Sequence, residues 1–188
     1  MSTNLANESQ ANQPRSFPRP GTGYYGFTQD PNYQSKFLNS FKYLNKIIVP
    51  LYRWRILPLI GMHRWGRIYL ITTKGRKTGL KRYTPLEYFV INDELLGGVS
   101  NPKKSQWHKN ILANPDDVWV QIGFRSFHAR IEFLDDDEFL EAVKSYAQQY
   151  PKLAAAAWGW DPEIDDVETA DFTPMRMVYR FFRIHEWE

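Results

Sequence analysis

The residues of this chain best suited to chemistry stand in one run, Thr72-Thr-Lys-Gly-Arg-Lys-Thr-Gly-Leu-Lys-Arg-Tyr-Thr-Pro-Leu-Glu-Tyr88. Arg76, Lys77, Lys81 and Arg82 crowd cations into a small region, and Thr78 and Thr84 add hydroxyls. Gly75 and Gly79 allow a sharp turn that leaves backbone N–H groups exposed. A loop built this way can hold the oxygens of a phosphate or a carboxylate. It is not a Walker loop, because the Gly-Lys-Ser/Thr order after four spacer residues is missing, and no helix follows the glycines as a dinucleotide fingerprint requires. On these residues alone a solvated surface turn is the other reading.

Charge along the chain points the same way. Residues 1–86 carry 14 Lys and Arg against two acids, Glu8 and Asp30, whereas residues 87–188 carry 10 Lys and Arg against 19 acids. No acid falls between Pro31 and Leu86. Such asymmetry suits an anionic partner, namely a phosphate, a nucleic acid or a lipid headgroup, or else forms a solvated basic face. With no cysteine in the chain, disulfides, zinc–thiolate sites, iron–sulfur clusters and cysteine nucleophiles are excluded. His63, His108, His128 and His185 are far apart and lack ligand spacing, so no metal site is expected. Asp135-Asp-Asp-Glu138 lacks the alternating ligands and central glycine of a calcium loop and suits a helix N-terminus instead. The 7 Trp, 11 Tyr and 12 Phe suit a core and also a flat ligand.

The elements that must position the loop are legible in outline. Residues 1–30, rich in Pro, Gly, Asn and Gln, read as a mobile arm, although Phe17, Tyr24, Tyr25 and Phe27 could dock on the body. Residues 31–188 read as one domain that begins with amphipathic helices over 31–60. Asp30-Pro31 signals a helix start, and Phe37, Phe41, Leu44 and Ile48 share a face. Pro50 ends or kinks that helix, and a second short one runs to about Leu57. Lys36, Lys42, Lys46, Arg53 and Arg55 make this segment basic, a composition that can lie on an anionic membrane surface or pack on the domain. The apolar stretch Ile47–Ile60 is about 14 residues long and interrupted, short of the ~20 that span a bilayer. No secretory signal is evident. A cytoplasmic protein is therefore expected, with peripheral contact at the inner face of the cell membrane through 31–60.

Strands are expected over Arg67–Thr73, Lys81–Ile91 (interrupted by Pro85), Leu95–Ser100, Val118–Ile122, Phe127–Phe133 and Met175–Trp187. Helices are expected over Gln106–Ala113, from Asp135–Asp137 to Tyr150, and for a turn at Leu153–Trp158. Short antiparallel strands with few helices give an α+β fold built on a small β-barrel, with one long helix in the C-terminal half.

Two blocks carry a family resemblance. The first is Leu70-Ile-Thr-Thr-Lys-Gly-Arg-Lys-Thr-Gly79 with Arg82, Thr84-Pro85-Leu86 and Tyr88. The second is Gly98-Val99-Ser100-Asn101 followed by Gln106-Trp107-His108-Lys109-Asn110-Ile111-Leu112-Ala113-Asn114-Pro115. Their order and distance resemble the deazaflavin (coenzyme F420)-dependent nitroreductase and quinone reductase family, over about residues 40–150. The resemblance implies a split β-barrel of the flavin-reductase and pyridoxamine-oxidase kind. It implies an oxidoreductase that passes a hydride from reduced coenzyme F420, an 8-hydroxy-5-deazaflavin with a phosphate and an oligoglutamate tail, to a conjugated small-molecule acceptor such as a quinone or nitroaromatic. On this resemblance Arg76, Lys77, Thr78 and Arg82 would meet the anionic tail. Thr84, Pro85, Leu86, Tyr88, Val99, Ser100, Asn101 and Trp107 would line the ring. A hydroxyl must also meet the acceptor's developing oxyanion; Tyr88 is the candidate, its other reading being a barrel aromatic with its hydroxyl at the surface. The hydride chemistry belongs to the coenzyme, which agrees with the absence of cysteine.

The sequence also departs from the family. Asn101-Pro-Lys-Lys104 stands where two glycines are common. After Tyr150-Pro151, Leu153 and Ala156 replace tyrosines of the acceptor pocket, and Trp158-Gly-Trp160 follows, as if that pocket had been rebuilt. FMN, haem or another flat anionic cofactor would need a similar basic loop. A non-enzymatic module for nucleic acid or lipid is a further alternative, with nucleic acid disfavoured by the acidic second half and by the lack of an RNA-binding aromatic signature. An oligomer is allowed by the sequence.

Overall fold

The computed structural model describes residues 15–19, 22, 43–61 and 67–187. Six antiparallel strands close into a barrel in the order β1-β2-β3-β6-β5-β4. They are β1 Ile68–Lys74, β2 Lys81–Ile91, β3 Glu94–Ser100, β4 Val118–Ile122, β5 Arg125–Phe133 and β6 Tyr179–Glu186. The helices are α1 (residues 43–53), α2 Ile56–Leu59, α3 Gln106–Ala113, α4 Asp136–Gln149, α5 Pro151–Trp158 and α6 Met175–Val178. This is the α+β barrel with one long helix that the pattern of short strands implies.

Alternation along the strands divides the apolar residues into two cores. Tyr69, Ile71, Val118, Val120, Phe127, Ala129, Phe182 and Ile184 fill the barrel, with Leu86, Tyr88 and Trp107 packed against them. The outer face of β2, β3 and β6 presents Phe89, Ile91, Leu96 and Phe181 to α4 and α5, which answer with Phe139, Val143, Tyr146 and Trp158. A third, small cluster of Tyr52, Leu57 and Leu70 seats α1 and α2 on β1. The hairpin between β2 and β3 turns at Asn92 and Asp93, both at positive φ, which Asn and Asp tolerate better than other side chains. The α4 helix opens with the reciprocal capping the acids suggested. The Asp135 carboxylate accepts from the Asp137 and Glu138 amides at 2.9 Å, and Glu138 accepts from the Asp135 amide at 3.1 Å.

Several expectations are corrected. Pro85 does not interrupt β2. That strand pairs with β1 along Lys81–Glu87 but with β3 only from Tyr88 onward. At Pro85 it therefore has a neighbour on one side, where a missing N–H is tolerated. Pro50 does not end α1, which continues to residue 53. Proline forfeits its own amide bond, but its carbonyl still accepts from Trp54 at 2.9 Å, and the break comes at Arg55, with φ 63°. The last strand starts at Tyr179, because Met175–Val178 is helical after Pro174. Met175 is buried there, and Arg176 donates to the Asp136 carbonyl at 3.0 Å.

The expected mobile arm is docked at residues 15–19. Phe17 has 0% exposure and packs against Trp160 and Phe172 at 5.3 Å between ring centroids. Its amide donates to Asp171, and Arg19 forks onto Asp165 at 2.7 and 2.9 Å. The helix start at Asp30-Pro31, the positions of Phe37 and Phe41, and the rest of the arm apart from Thr22 lie outside the described residues. Of the expected helical face, Ile48 packs on the Tyr52 cluster and Leu44 is exposed.

Candidate functional site

The basic run folds as the end of β1, the β1–β2 hairpin loop and the half of β2 that pairs with β1 alone. Gly75 donates to the Leu80 carbonyl at 2.9 Å, and its own carbonyl accepts from Thr78 and Gly79 at 3.1 and 2.7 Å. A Cβ at Gly75 would meet the Thr78 hydroxyl at 3.0 Å and the Leu80 carbonyl at 3.1 Å. Gly79 stands at φ 67°, a conformation side chains resist. The loop is therefore tight, and its cations are exposed.

Helix α3 lies behind the loop, started by the Ser105 hydroxyl accepting from the His108 amide. Its Asn110, buried, offers Oδ1 to both the Arg76 backbone amide at 3.2 Å and Arg76 Nη1 at 3.1 Å. Gln106 Oε1 accepts from Arg76 Nη2 at 2.9 Å. Asn110 Nδ2 donates to the Thr73 hydroxyl at 3.4 Å, which ties the arrangement to β1. Arg76 is thus held by two neutral acceptors that fix its direction and leave its charge uncancelled.

A cleft of about 1020 Å³ opens in front of these groups. The loop and β2 supply Arg76, Lys77, Thr78, Lys81, Arg82 and Thr84, α3 supplies Gln106, Trp107 and Asn110, and α1 supplies Asn45, Lys46, Val49 and Pro50. No carboxylate of the described residues lines it. Among the described residues, no acid pairs with Lys46, Lys77, Lys81 or Arg82. Helix α1 is fixed as the far wall by Tyr52, whose hydroxyl donates to the Ile68 carbonyl at 2.7 Å and accepts from the Gly123 amide at 3.1 Å. Burial pushes the Tyr52 hydroxyl above the usual tyrosine range. Arg53 stacks on the Tyr83 ring at 4.3 Å.

Of the twelve residues singled out in the sequence, Arg76, Lys77, Thr78, Arg82, Thr84 and Trp107 are brought together on the cleft wall. Pro85 continues the open edge of β2. Leu86 and Tyr88 belong to the barrel-interior cluster, which Trp107 also joins from the cleft side. Tyr88 is half-buried, its ring 6.4 Å from that of Tyr69. The Tyr69 hydroxyl is buried without a partner, and burial holds it protonated. Val99, Ser100 and Asn101 are not part of the cleft wall. Val99 is buried in the β3–β6 ladder. Asn101, at φ 48°, bonds to the Val178 carbonyl at 2.7 Å and closes the turn that leads to α3.

His108 fastens that turn, its Nδ1 3.1 Å from the Pro102 carbonyl, and burial lowers its pKa. Neither Trp158 nor Trp160 rebuilds an acceptor pocket. They are 1% and 4% exposed and pack around Phe17 and Phe172 in the outer core. Tyr150 is also committed, donating to the Val90 carbonyl at 2.8 Å and accepting from the Val90 amide at 3.3 Å. Asn45, Lys46, Val49 and Pro50 carry no motif that marks them as cleft residues. Asn110 stood within the quoted Trp107-His-Lys-Asn110 block, but its role as the acceptor that aims Arg76 is visible only in three dimensions. No group of His, Asp or Glu among the described residues is arranged to hold a metal ion.

A family model described as F420H(2)-dependent quinone reductase matches residues 58–165, the stretch that holds β1–β5 and α3–α5. Among solved structures, an F420-H2 dependent reductase, FDR-A, is 27% identical over 63% of this chain and 93% of its own, with a TM-score of 0.40. A protein described as a domain-swapped dimer is 28% identical over 62% of this chain and 78% of its own, with a TM-score of 0.41. HutZ, the haem storage protein from Vibrio cholerae, is 16% identical over 70% and 89%, with a TM-score of 0.42. No protein of curated function matches the chain.

Proposed function

The chain belongs to the F420H(2)-dependent quinone reductase family, and from that premise we propose that the acid-free cleft holds reduced coenzyme F420 for transfer to a flat acceptor of the quinone or nitroaromatic class. The protein is an oxidoreductase that uses coenzyme F420. The observation that carries the placement is the donor set. A cavity of about 1020 Å³ lined by Lys46, Arg76, Lys77, Lys81 and Arg82 and, among the described residues, by no carboxylate suits a ligand that carries a phosphate and several carboxylates.

When bound, the reduced deazaflavin supplies the hydride. The protein's work is to bind, orient and exclude water. Arg76, aimed by Asn110 and Gln106, and Lys77 and Arg82 beside it would hold the anionic tail. Thr78 and Thr84 would add hydroxyl contacts, and Trp107, between the cleft and the barrel interior, would give the ring an apolar wall. Pro85 and Leu86 extend that wall. Tyr88 is our candidate for the hydroxyl that meets charge developing on the acceptor oxygen. The face of α5 bearing Leu153 and Ala156 is exposed and does not line the cleft.

Titrating the protein with coenzyme F420, FMN and haem tests the reading. F420 should bind, and Arg82→Ala should weaken it on the order of tenfold, less at high salt. Tight binding of FMN or haem in its place, or an Arg82→Ala titration identical to wild type, would refute the placement.

A further inference from the structure

The cleft runs along the open edge of β2. Tyr88 donates its amide to the Arg67 carbonyl at 2.8 Å on the β1 side. By the alternation of a strand, the amides of Lys81 and Tyr83 therefore face away from β1, toward the edge that β3 leaves unpaired. Side chains alternate as well. Arg82 and Thr84 share the face of Leu86, which belongs to the barrel interior. Lys81 and Tyr83 share the other face, where Tyr83 packs against the Tyr52 cluster that seats α1. On that outer side α1 presents Lys46, Pro50 and Arg53, four and then three residues apart and so in one row. Lys46 and Pro50 line the cleft, and Arg53 is the cation stacked on the Tyr83 ring. The two cations are separated by roughly 10 Å of helix. Both are exposed, in a stretch, residues 32–85, that contains no acid.

We propose that Lys46 and Arg53 are further coenzyme-binding residues, a second row of cations that closes on the anionic chain of coenzyme F420 from the side opposite Arg76 and Arg82. The proposal rests on the coenzyme reading above and adds the path of the chain, along the open edge of β2 between α1 and α3. An extended chain laid on a strand edge meets backbone donors at alternate residues, here Lys81 and Tyr83. Its carboxylates then project to both sides of the strand, and cations stand on each side. Cations gathered on two walls, with no carboxylate of the described residues between them, repel one another until an anion lies in the gap. Arg53, flat on Tyr83, has its plane fixed while its N–H edge stays open to a carboxylate, so little freedom is lost on binding. Tyr52 is the positioning residue. Its hydroxyl ties α1 to Ile68 and Gly123, and its carbonyl accepts from Gln121 Nε2 at 3.1 Å. One residue thereby fixes the row of cations relative to β1 and β4.

The probes are coenzyme F420 and the same deazaflavin stripped of its phosphate and glutamates, each titrated into the full chain by fluorescence at low and high salt. Wild type should bind the complete coenzyme more tightly, with the advantage shrinking in salt. The double variant Lys46→Gln, Arg53→Gln should lose on the order of tenfold in affinity for the complete coenzyme and nothing for the stripped one. Its melting temperature should stay near wild type, because both side chains are exposed. Lys46→Arg should bind both compounds like wild type. Tyr52→Phe should lower the ratio of the two affinities in the wild-type background and leave it unchanged in the double variant, which a general loss of stability would not do. Lys152→Gln, which removes an exposed cation on α5 outside the cleft lining, should change neither titration. Equal binding of the two compounds by wild type overturns the proposal, as does a double variant that binds the complete coenzyme like wild type. A double variant that weakens both compounds alike also overturns it, since α1 would then serve the ring or the fold. If neither compound binds wild type, the coenzyme reading falls and the second row of contacts falls with it.

Discussion

Replacing Asn110 by aspartate changes one atom and tests the cleft more sharply than removing a cation. Asn110 Oδ1 sits 3.1 Å from Arg76 Nη1 and 3.2 Å from the Arg76 amide. A carboxylate there keeps both bonds and can still accept from the Thr73 hydroxyl, so the loop should fold unchanged. It does, however, turn a neutral acceptor into an ion-pair partner for Arg76. A hydrogen bond to a charged group is worth about 1.5–3 kcal/mol. Diverting the guanidinium from the coenzyme should therefore weaken binding roughly ten- to hundredfold, and the salt dependence of binding should fall because one cation has been neutralised. Asn110→Leu is the contrast. It leaves the Arg76 amide without its acceptor, costs stability by about 1–3 kcal/mol, and loosens Arg76 without cancelling its charge. Fluorescence titration of the deazaflavin at low and high salt, beside thermal melting, reads both effects. If Asn110→Asp melts like wild type and binds the coenzyme equally well at low salt, Arg76 does not meet the coenzyme's anions.

Further outcomes follow from other parts of the fold. Tyr88→Phe should leave coenzyme affinity near wild type and slow acceptor reduction by about 2.7–4 kcal/mol of barrier; unchanged single-turnover rates would remove Tyr88 from the chemistry. Phe17→Ala, which empties a fully buried site, should cost about 3–5 kcal/mol and lower the melting temperature by about 10 °C; a drop of under a degree would show that residues 15–19 are not part of the core. His108 has its folded pKa lowered, first by burial and further by Arg180 and Lys109, against a raising bond to Pro102. The unfolded chain therefore takes up the proton first, and stability should decline as pH falls below about 6.5 towards the lowered folded value. Chemical denaturation across that range should show a shallower slope in His108→Gln, and an equal slope would exclude His108 as its source.

The sequence was most informative where local rules and tertiary demands agree. Gln106–Ala113 and Lys81–Ile91 could be bounded from periodicity, capping and turn residues alone, as could the acid-capped start of α4. The loop cations were legible because no acid interrupts them. The errors arise where distant residues decide the local outcome. Pro85 looks like a strand breaker until β3 is seen to pair only beyond it. Met175–Val178 looks extended until Arg176 is found bonded to the start of α4. Phe17 lies in a segment of arm-like composition, and only Trp160 and Phe172 make it core. The far wall of the cleft was hidden for the same reason. Asn45 and Val49 carry no signature, and their place follows from Tyr52 seating α1 on β1 and β4.

The docking of residues 15–19 also sets a schedule for the making of this protein. Ser16 bonds to Asp171, 155 residues later in the chain, and β3 waits for β6 before the barrel can close. At roughly 5–20 residues per second of synthesis, the first aromatic of the outer core is made some ~8–30 s before its partners exist. Closing so long a loop is entropically costly until those partners arrive. During that interval Phe17 and the growing sheet edge are available to chaperones and to wrong neighbours. The tie between the two ends of the chain should form among the last steps. A nascent chain stopped short of Phe172 would hold strands β1–β5 without the element that closes them.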